Sequence, residues 1–167
     1  ITMNIAIVGA TGNVGRKTLE VLEKKELKID NLYLVASSKS AGIKIKFRGK
    51  EYEVEELDSF DFSKAKIIFF AAGGKISEKF AEKASKNSLV IDNSSFFRMD
   101  PDVPLIVPQV NSEDLDSIKK NIVANPNCST AQLVIVLKPL HDLFVIKRVV
   151  VSTYQSVSGG GKAPMDE

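Results

Sequence analysis

The stretch Asn125-Pro-Asn-Cys-Ser-Thr130 holds the one cysteine of the 167-residue chain. An apolar run, Ile122–Ala124, precedes it, and a helix-period segment, Ser129–Phe144, follows. Cys128 therefore stands where a strand ends and a helix begins. Free backbone N–H groups and the helix dipole favour negative charge at such a place, which suits a thiolate nucleophile aimed at an aldehyde or acyl carbon. Asn127 and the N–H groups of the helix start would supply donors for the developing oxyanion. The competing reading is a buried, inert cysteine.

His141 is the one histidine and the obvious candidate for a proton partner. Thirteen residues along one helix span about 20 Å, so the two ends cannot meet unless the helix breaks at Pro139. His141 is accordingly read as structural, and the base that would serve Cys128 is not found in these residues.

A second constellation lies at the start of the chain. Gly9, Gly12 and Gly15 in "GATGNVG" follow an apolar strand and open a helix. Glycines there let the backbone turn tightly and approach a pyrophosphate seated on the helix N-terminus, so Gly9, Ala10, Thr11, Gly12, Asn13, Val14 and Gly15 are candidate cofactor contacts. The spacing is GxxGxxG and departs from the strict fingerprint; a purely structural turn is the alternative. After the second strand, where NAD-binding members of this fold place an acid, the chain has Ser37, Ser38, Lys39 and Ser40. Hydroxyls and a cation suit a 2′-phosphate, so NADP is expected rather than NAD, against the alternative of a solvated turn.

The elements that must position these groups alternate in type. Strand "NIAIVG" leads to a helix from about Val14 to Lys25, then strand "LYLVAS" and the turn "SKSAG". The run "IKIKFRGKEYEVEEL" reads as an antiparallel hairpin around Arg48-Gly49. "AKIIFFAAGG", almost wholly apolar, reads as a strand buried on both faces. Helix "ISEKFAEKASKN", strand "LVIDN", the Pro-containing "RMDPDVPLIVPQV", a short helix opened by "NSEDL" and strand "NIVAN" follow, then the cysteine loop and its helix. "KRVVVSTYQ" reads as a last strand before the Ser/Gly-rich "SVSGGGKAP". The expected fold is α/β: a Rossmann-like, mostly parallel sheet with helices on both faces, followed by the start of a truncated α+β catalytic and dimerisation domain. Residues 1–127 would form the NADP-binding domain, and residues 128–167 the incomplete second one.

Composition excludes several classes. A hydrophobic share of 44% beside 26% charged residues fits a folded soluble protein. Net charge is only +2, with lysines interleaved among glutamates, a pattern of solvated helix faces rather than of nucleic-acid binding. The longest apolar run, "IIFFAA", is far below the roughly 20 residues of a membrane span. One cysteine forms no internal disulfide, Met3 reads as the natural start with no targeting signal around it, and the expected location is cytoplasmic. No metal is implied.

Taken together, "GATGNVG", "ASSKSAG", "FAAGG", "IDNSSFFRMDPDVPLIVPQVN", "ANPNCST" and "TYQSVSGGG" make the chain resemble the bacterial aspartate-β-semialdehyde dehydrogenases from first strand to last residue. The resemblance implies NADPH-dependent reductive dephosphorylation of aspartyl-β-phosphate to aspartate semialdehyde, in lysine, diaminopimelate, threonine and methionine biosynthesis. It implies Cys128 as the nucleophile that forms an acyl-enzyme thioester, and Gln155 as the residue that orients substrate beside it. Arg98 would hold the phosphate, a task suited to a planar guanidinium, and Asn127 would also contact substrate. Ala72, Gly73 and Asn93, at ends of neighbouring strands, would line the cofactor. Ser158 and Gly159 would belong to a loop on the nicotinamide side. Lys39 stands where arginine is commoner, Gln109 where glutamate is, and Ala71 where serine is.

Members of the family run to about twice this length and carry the acid-base histidine, a second substrate arginine and much of the dimer interface in their second half. The chain thus reads as an N-terminal portion, inactive by itself, of an enzyme that forms a homodimer or homotetramer. Two other readings stand beside this one: an N-acetyl-glutamyl-phosphate reductase, against which "NPNCST" and "DNSSFFRMD" count, and a non-catalytic nucleotide-binding module with Cys128 as a redox sensor or without a role.

Overall fold

The computed structural model describes residues 3–157. Ser158 and Gly159 lie outside them. Seven strands form one sheet in the order β3-β4-β2-β1-β5-β6-β7: β1 (Asn4–Val8), β2 (Asn31–Ala36), β3 (Lys44–Phe47), β4 (Lys50–Glu56), β5 (Ile67–Phe70), β6 (Leu89–Asp92) and β7 (Ile122–Ala124). Only the β3–β4 pairing is antiparallel.

Strand alternation divides the apolar residues between the two faces. Ile5, Ile7, Leu32, Leu34 and Ala36 pack against Leu19 and Leu22 of helix α1 (Asn13–Lys24). Ala6, Val8, Val35, Ile68, Phe70 and Val90 face the opposite way and pack against Phe80, Ala81 and Ala84 of helix α2 (Gly74–Ser85). The buried positions of α2, Ser77, Phe80, Ala81, Ala84 and Ser85, repeat at three- and four-residue steps, the stripe of a helix lying on a sheet. Helices thus cover both faces, as the alternation of elements requires.

The hairpin does more than the sequence indicates. Arg48 and Gly49 both take positive φ (47° and 77°), which turns β3 into β4, and β4 then joins the main sheet parallel to β2. Arg48 Nη1 and Nη2 donate to the carbonyls of Leu27 and Leu22, 2.7 and 3.1 Å away, while its N–H donates to Glu23 Oε1 at 2.7 Å. A cation thereby satisfies carbonyls at and beyond the C-terminal end of α1 and ties that end to the hairpin.

The helix expected over Ser129–Phe144 forms unbroken through Pro139, as α4 (Cys128–Phe144). Two expectations are corrected. The short helix placed at "NSEDL" is a run of 3₁₀ turns, Ser112–Ser117, preceded by a single turn α3 (Pro108–Asn111) with proline at its start. Lys147–Gln155 forms no strand. A strand needs a neighbour about 4.8 Å away to take its N–H and C=O groups, and the outer edge of β7 is already taken by residues 104–106, through Ala124 N–H to Pro104 O and Ile106 N–H to Ala124 O, both 2.9 Å. With that edge occupied, the segment pairs with no strand and is exposed, Val150 being 78% accessible.

α4 is mostly apolar, interrupted by the Lys138–Asp142 ion pair, yet none of its residues is buried. Helices of that composition belong in the interior of a larger body. Among the described residues no helix is long and apolar enough to cross a membrane.

Truncating Phe70, which is fully buried, should cost about 3–5 kcal/mol, whereas Phe144→Ala, at a side chain 75% exposed, should stay within about 0.5 kcal/mol. Urea unfolding of both variants checks the contrast.

Candidate functional site

β1, β2 and β4–β7 run parallel, so the loops that follow their ends gather at one edge of the sheet. The glycine loop opens there. Gly9 has φ of +86°, and a Cβ on it would stand 2.7 Å from the carbonyl oxygen of Ala71. A Cβ on Gly15 would come within 2.1 Å of Gly9 O, so α1 is packed onto the loop at a separation that only glycine allows. Gly12 is the N-cap of α1, and no side chain caps the helix. Gly12 lines a cleft, so the positive end of the α1 dipole lies at its wall.

That cleft, about 260 Å³, is lined by Gly9, Thr11, Gly12, Ser37, Ala71 and Ala72. Thr11 Oγ1 donates to Ser40 Oγ at 3.3 Å, which joins the glycine loop to the turn Ser38–Ser40. Ser38 and Lys39 are exposed on that turn. A cradle that Cβ atoms would fill, an uncapped helix end and a hydroxyl-and-lysine turn fit a dinucleotide bearing a 2′-phosphate.

Other candidates fall elsewhere. Ala10 points into the core rather than into the cleft, and its N–H is bound to Val35 O at 3.2 Å. Val14 and Asn93 line a neighbouring depression on the other side of α1, together with Phe69, Ile91 and Asn125. Asn13 is exposed at the first turn of α1, and Gly73, at φ of +86°, is the N-cap of α2.

The cysteine stands at the first residue of α4, exposed. Asn127 caps this helix: its Oδ1 accepts from the N–H of Ser129 at 3.0 Å and from Ser129 Oγ at 2.7 Å. Gln155, 27 residues on, folds back so that Nε2 donates to Cys128 Sγ at 3.5 Å, while its Oε1 accepts from Asn127 Nδ2 at 3.5 Å. The cysteine, the cap and the amide thus form one cluster. His141 is not in it; it lines an apolar hollow with Val110, Val134, Leu137 and Val149 near the other end of α4.

Arg98 connects the cysteine loop to the β6 loop. Its Nε donates to Asn125 O at 3.0 Å and its Nη2 to Asn93 O at 3.3 Å, while Asn125 Nδ2 donates to Asn93 Oδ1 at 2.8 Å. Beneath them lies Asp92, wholly buried at the end of β6. Its carboxylate accepts from Ser77 Oγ and Ser94 Oγ, each at 2.6 Å, and from the N–H of Ser94 at 3.2 Å. The hydrogen bond from Lys120, followed by that from the N–H of Asp102, holds the Asp100 carboxyl below its ordinary range and ties the Arg98 loop to the start of β7. Sequence reading overlooked Asp92, Ser77 and Asn125. An acid closing an otherwise apolar strand was the signal for Asp92; nothing local marked the other two.

The family description "Semialdehyde dehydrogenase, NAD binding domain" matches residues 4–118, and "Semialdehyde dehydrogenase, dimerisation domain" matches residues 137–167. An aspartate-semialdehyde dehydrogenase of Aquifex aeolicus is 54% identical over 166 residues, covering 98% of this chain and 49% of the relative; one of Rickettsia bellii is 52% identical with the same coverage. The crystal structure of aspartate semialdehyde dehydrogenase II from Vibrio cholerae, complexed with ASA, superposes with a TM-score of 0.96 at 48% identity, over 99% of this chain and 50% of that one. A Candida albicans aspartate semialdehyde dehydrogenase solved with NADP gives 0.73 at 28% identity, over 87% and 48%. The chain spans about half the length of the curated relatives it matches.

Asp92→Ala should destabilise the fold by about 2–4 kcal/mol, because it strands buried hydroxyls that had a charged acceptor; chemical denaturation measures it. Asn127→Ala removes the cap of α4, worth about 1 kcal/mol, and amide exchange at Ser129 should quicken about fivefold.

Proposed function

The chain belongs to the semialdehyde dehydrogenase family, and from that premise we propose that it carries the NADP-binding half and the nucleophile of an NADPH-dependent aspartate-semialdehyde dehydrogenase. The observation that supports this most directly is the cluster of Cys128, Asn127 and Gln155 at the sheet edge that also holds the glycine cleft.

Cys128 attacks the acyl carbon of aspartyl-β-phosphate. A C–S bond forms, the C–O bond to phosphate breaks, and phosphate leaves with the electron pair. Asn127 and Gln155 supply amide N–H donors beside the sulfur, placed for the oxygen that gains charge during the attack. The Arg98 guanidinium, fixed through the carbonyls of Asn93 and Asn125, has a remaining nitrogen, Nη1, for a phosphoryl oxygen. NADPH, when bound, supplies the hydride that reduces the thioester carbon. Cys128 then departs as thiolate when the C–S bond breaks and the aldehyde forms.

Gly9, Thr11, Gly12, Asn13, Gly15, Ser37, Ser38, Lys39, Ser40 and Ala72 make up the proposed cofactor contacts, with Gly73, Val14 and Asn93 at their margin; Ala10 contributes packing. Residues 1–127 are proposed as the nucleotide-binding domain and residues 128–167 as the start of the catalytic and dimerisation domain of a cytoplasmic homodimer or homotetramer. The apolar, uncovered α4 supports that division.

In a protein that joins this chain to the second half found in its relatives, Cys128→Ala should lower phosphate-dependent reduction of NADP⁺ by aspartate semialdehyde at least about a thousandfold, with NADP⁺ affinity within about twofold. An active Cys128→Ala protein would sink the reading. The 167 residues by themselves should show negligible turnover, and turnover near that of the joined protein would refute this.

A further inference from the structure

Arg16 plays no part in the site as described so far. It is the residue after Gly15, exposed on the first turns of α1. Its Nε donates to the carbonyl of Thr11 at 3.1 Å, which turns the side chain back along the glycine loop. Thr11 in turn bonds Ser40 of the Ser38–Ser40 turn. The guanidinium is therefore held beside the junction of the two loops.

The face of α1 supports the same placement. Residues seven apart share a helix face. Glu23, seven on from Arg16, accepts from the N–H of Arg48 at the β3–β4 turn, so this face of α1 looks toward the β2–β4–β3 side of the sheet. The loop after β2 carries Ser37, Ser38, Lys39 and Ser40, and Ser40 meets Thr11, the residue whose carbonyl takes Arg16 Nε.

Arg16 is also not neutralised. The carboxylate one helical turn away, Glu20, is taken by Lys17 and Lys24, each at 2.7 Å. Hydrogen bonds from these two ammonium groups hold the Glu20 carboxyl down to about 2. Among the described residues Arg16 pairs with no carboxylate, and neither does Lys39. Two unpaired cations thus flank the Thr11–Ser40 contact, on a cleft whose loop lacks the acid that would hold a free ribose hydroxyl.

We propose that Arg16 is a specificity-determining residue, which with Lys39 forms a two-cation seat for the 2′-phosphate of an NADP-type cofactor. The inference rests on the cofactor reading above and adds to it the residue that separates NADP from NAD. The Thr11 carbonyl uses only Nε, so Nη1 and Nη2 remain for phosphate oxygens, in the planar geometry that a lysine cannot reproduce.

The test is titration of the 167-residue chain with 2′,5′-ADP and with 5′-ADP, followed by amide NMR, a method that registers millimolar binding. The parent chain should bind 2′,5′-ADP more tightly. Arg16→Leu should weaken 2′,5′-ADP about tenfold and leave 5′-ADP within about twofold, with Arg16→Lys in between. Amide spectra of each variant report whether the fold is intact. Equal weakening of both nucleotides, or none of either, overturns the role of Arg16 while the cofactor reading stands. If the parent chain binds neither nucleotide, the cofactor reading falls and this inference with it.

Discussion

Everything at the functional edge depends on how closely α1 is pressed onto the turn that follows β1. With a Cβ on Gly15 placed 2.1 Å from the carbonyl of Gly9, and one on Gly9 placed 2.7 Å from that of Ala71, the helix start, the β1 loop and the β5 loop form one tight backbone assembly. Backbone atoms cannot yield as a flexible side chain can. The close approach turns the N-terminus of α1 into a wall of the cleft, brings Thr11 within reach of Ser40, and sets the direction from which Arg16 returns to the loop.

A second set of constraints controls the other side of the edge. Asp92 is a carboxylate in the core between β6 and α2, satisfied by two hydroxyls and an N–H. A buried polar group is tolerated when hydrogen bonds replace its hydration, and removing a partner is costly. The arrangement orients the loop after β6, and Arg98 carries that orientation across to Asn125, three residues before the cysteine. Arg98 is thus both an anion-binding candidate and a structural tie, and substitutions there would disturb both.

The far end of the chain is a contrast. α4 leaves many of its apolar side chains uncovered, with Leu143 and Phe144 about three-quarters exposed, and Lys147–Gln155 joins no ladder. Yet Gln155 in this segment still reaches Cys128, so the cluster of Cys128, Asn127 and Gln155 takes shape with its cysteine and its glutamine both exposed. The chain spans about half the length of its relatives, and most of the exposed apolar side chains from α4 onward lie within the region matched by the dimerisation description.

Local pattern was enough for much of this. Alternating apolar strands and amphipathic helices specified a mostly parallel sheet with a helix on each face, because burial of one face or one stripe is a short-range property of the sequence. The strand-to-helix position of Cys128, the glycine turn before α1 and the hairpin at Arg48-Gly49 were legible for the same reason. Side-chain partners distant in sequence were not. The junction of Asp92 with Ser77, the Arg98 tie to Asn125, the joining of β4 to β2 and the contact of Thr11 with Ser40 arise only when the sheet brings separated segments together. The failed strand at Lys147–Gln155 shows the limit from the other side: its residues favour extension, but a strand exists only where another offers a free edge, and that is decided by the tertiary structure.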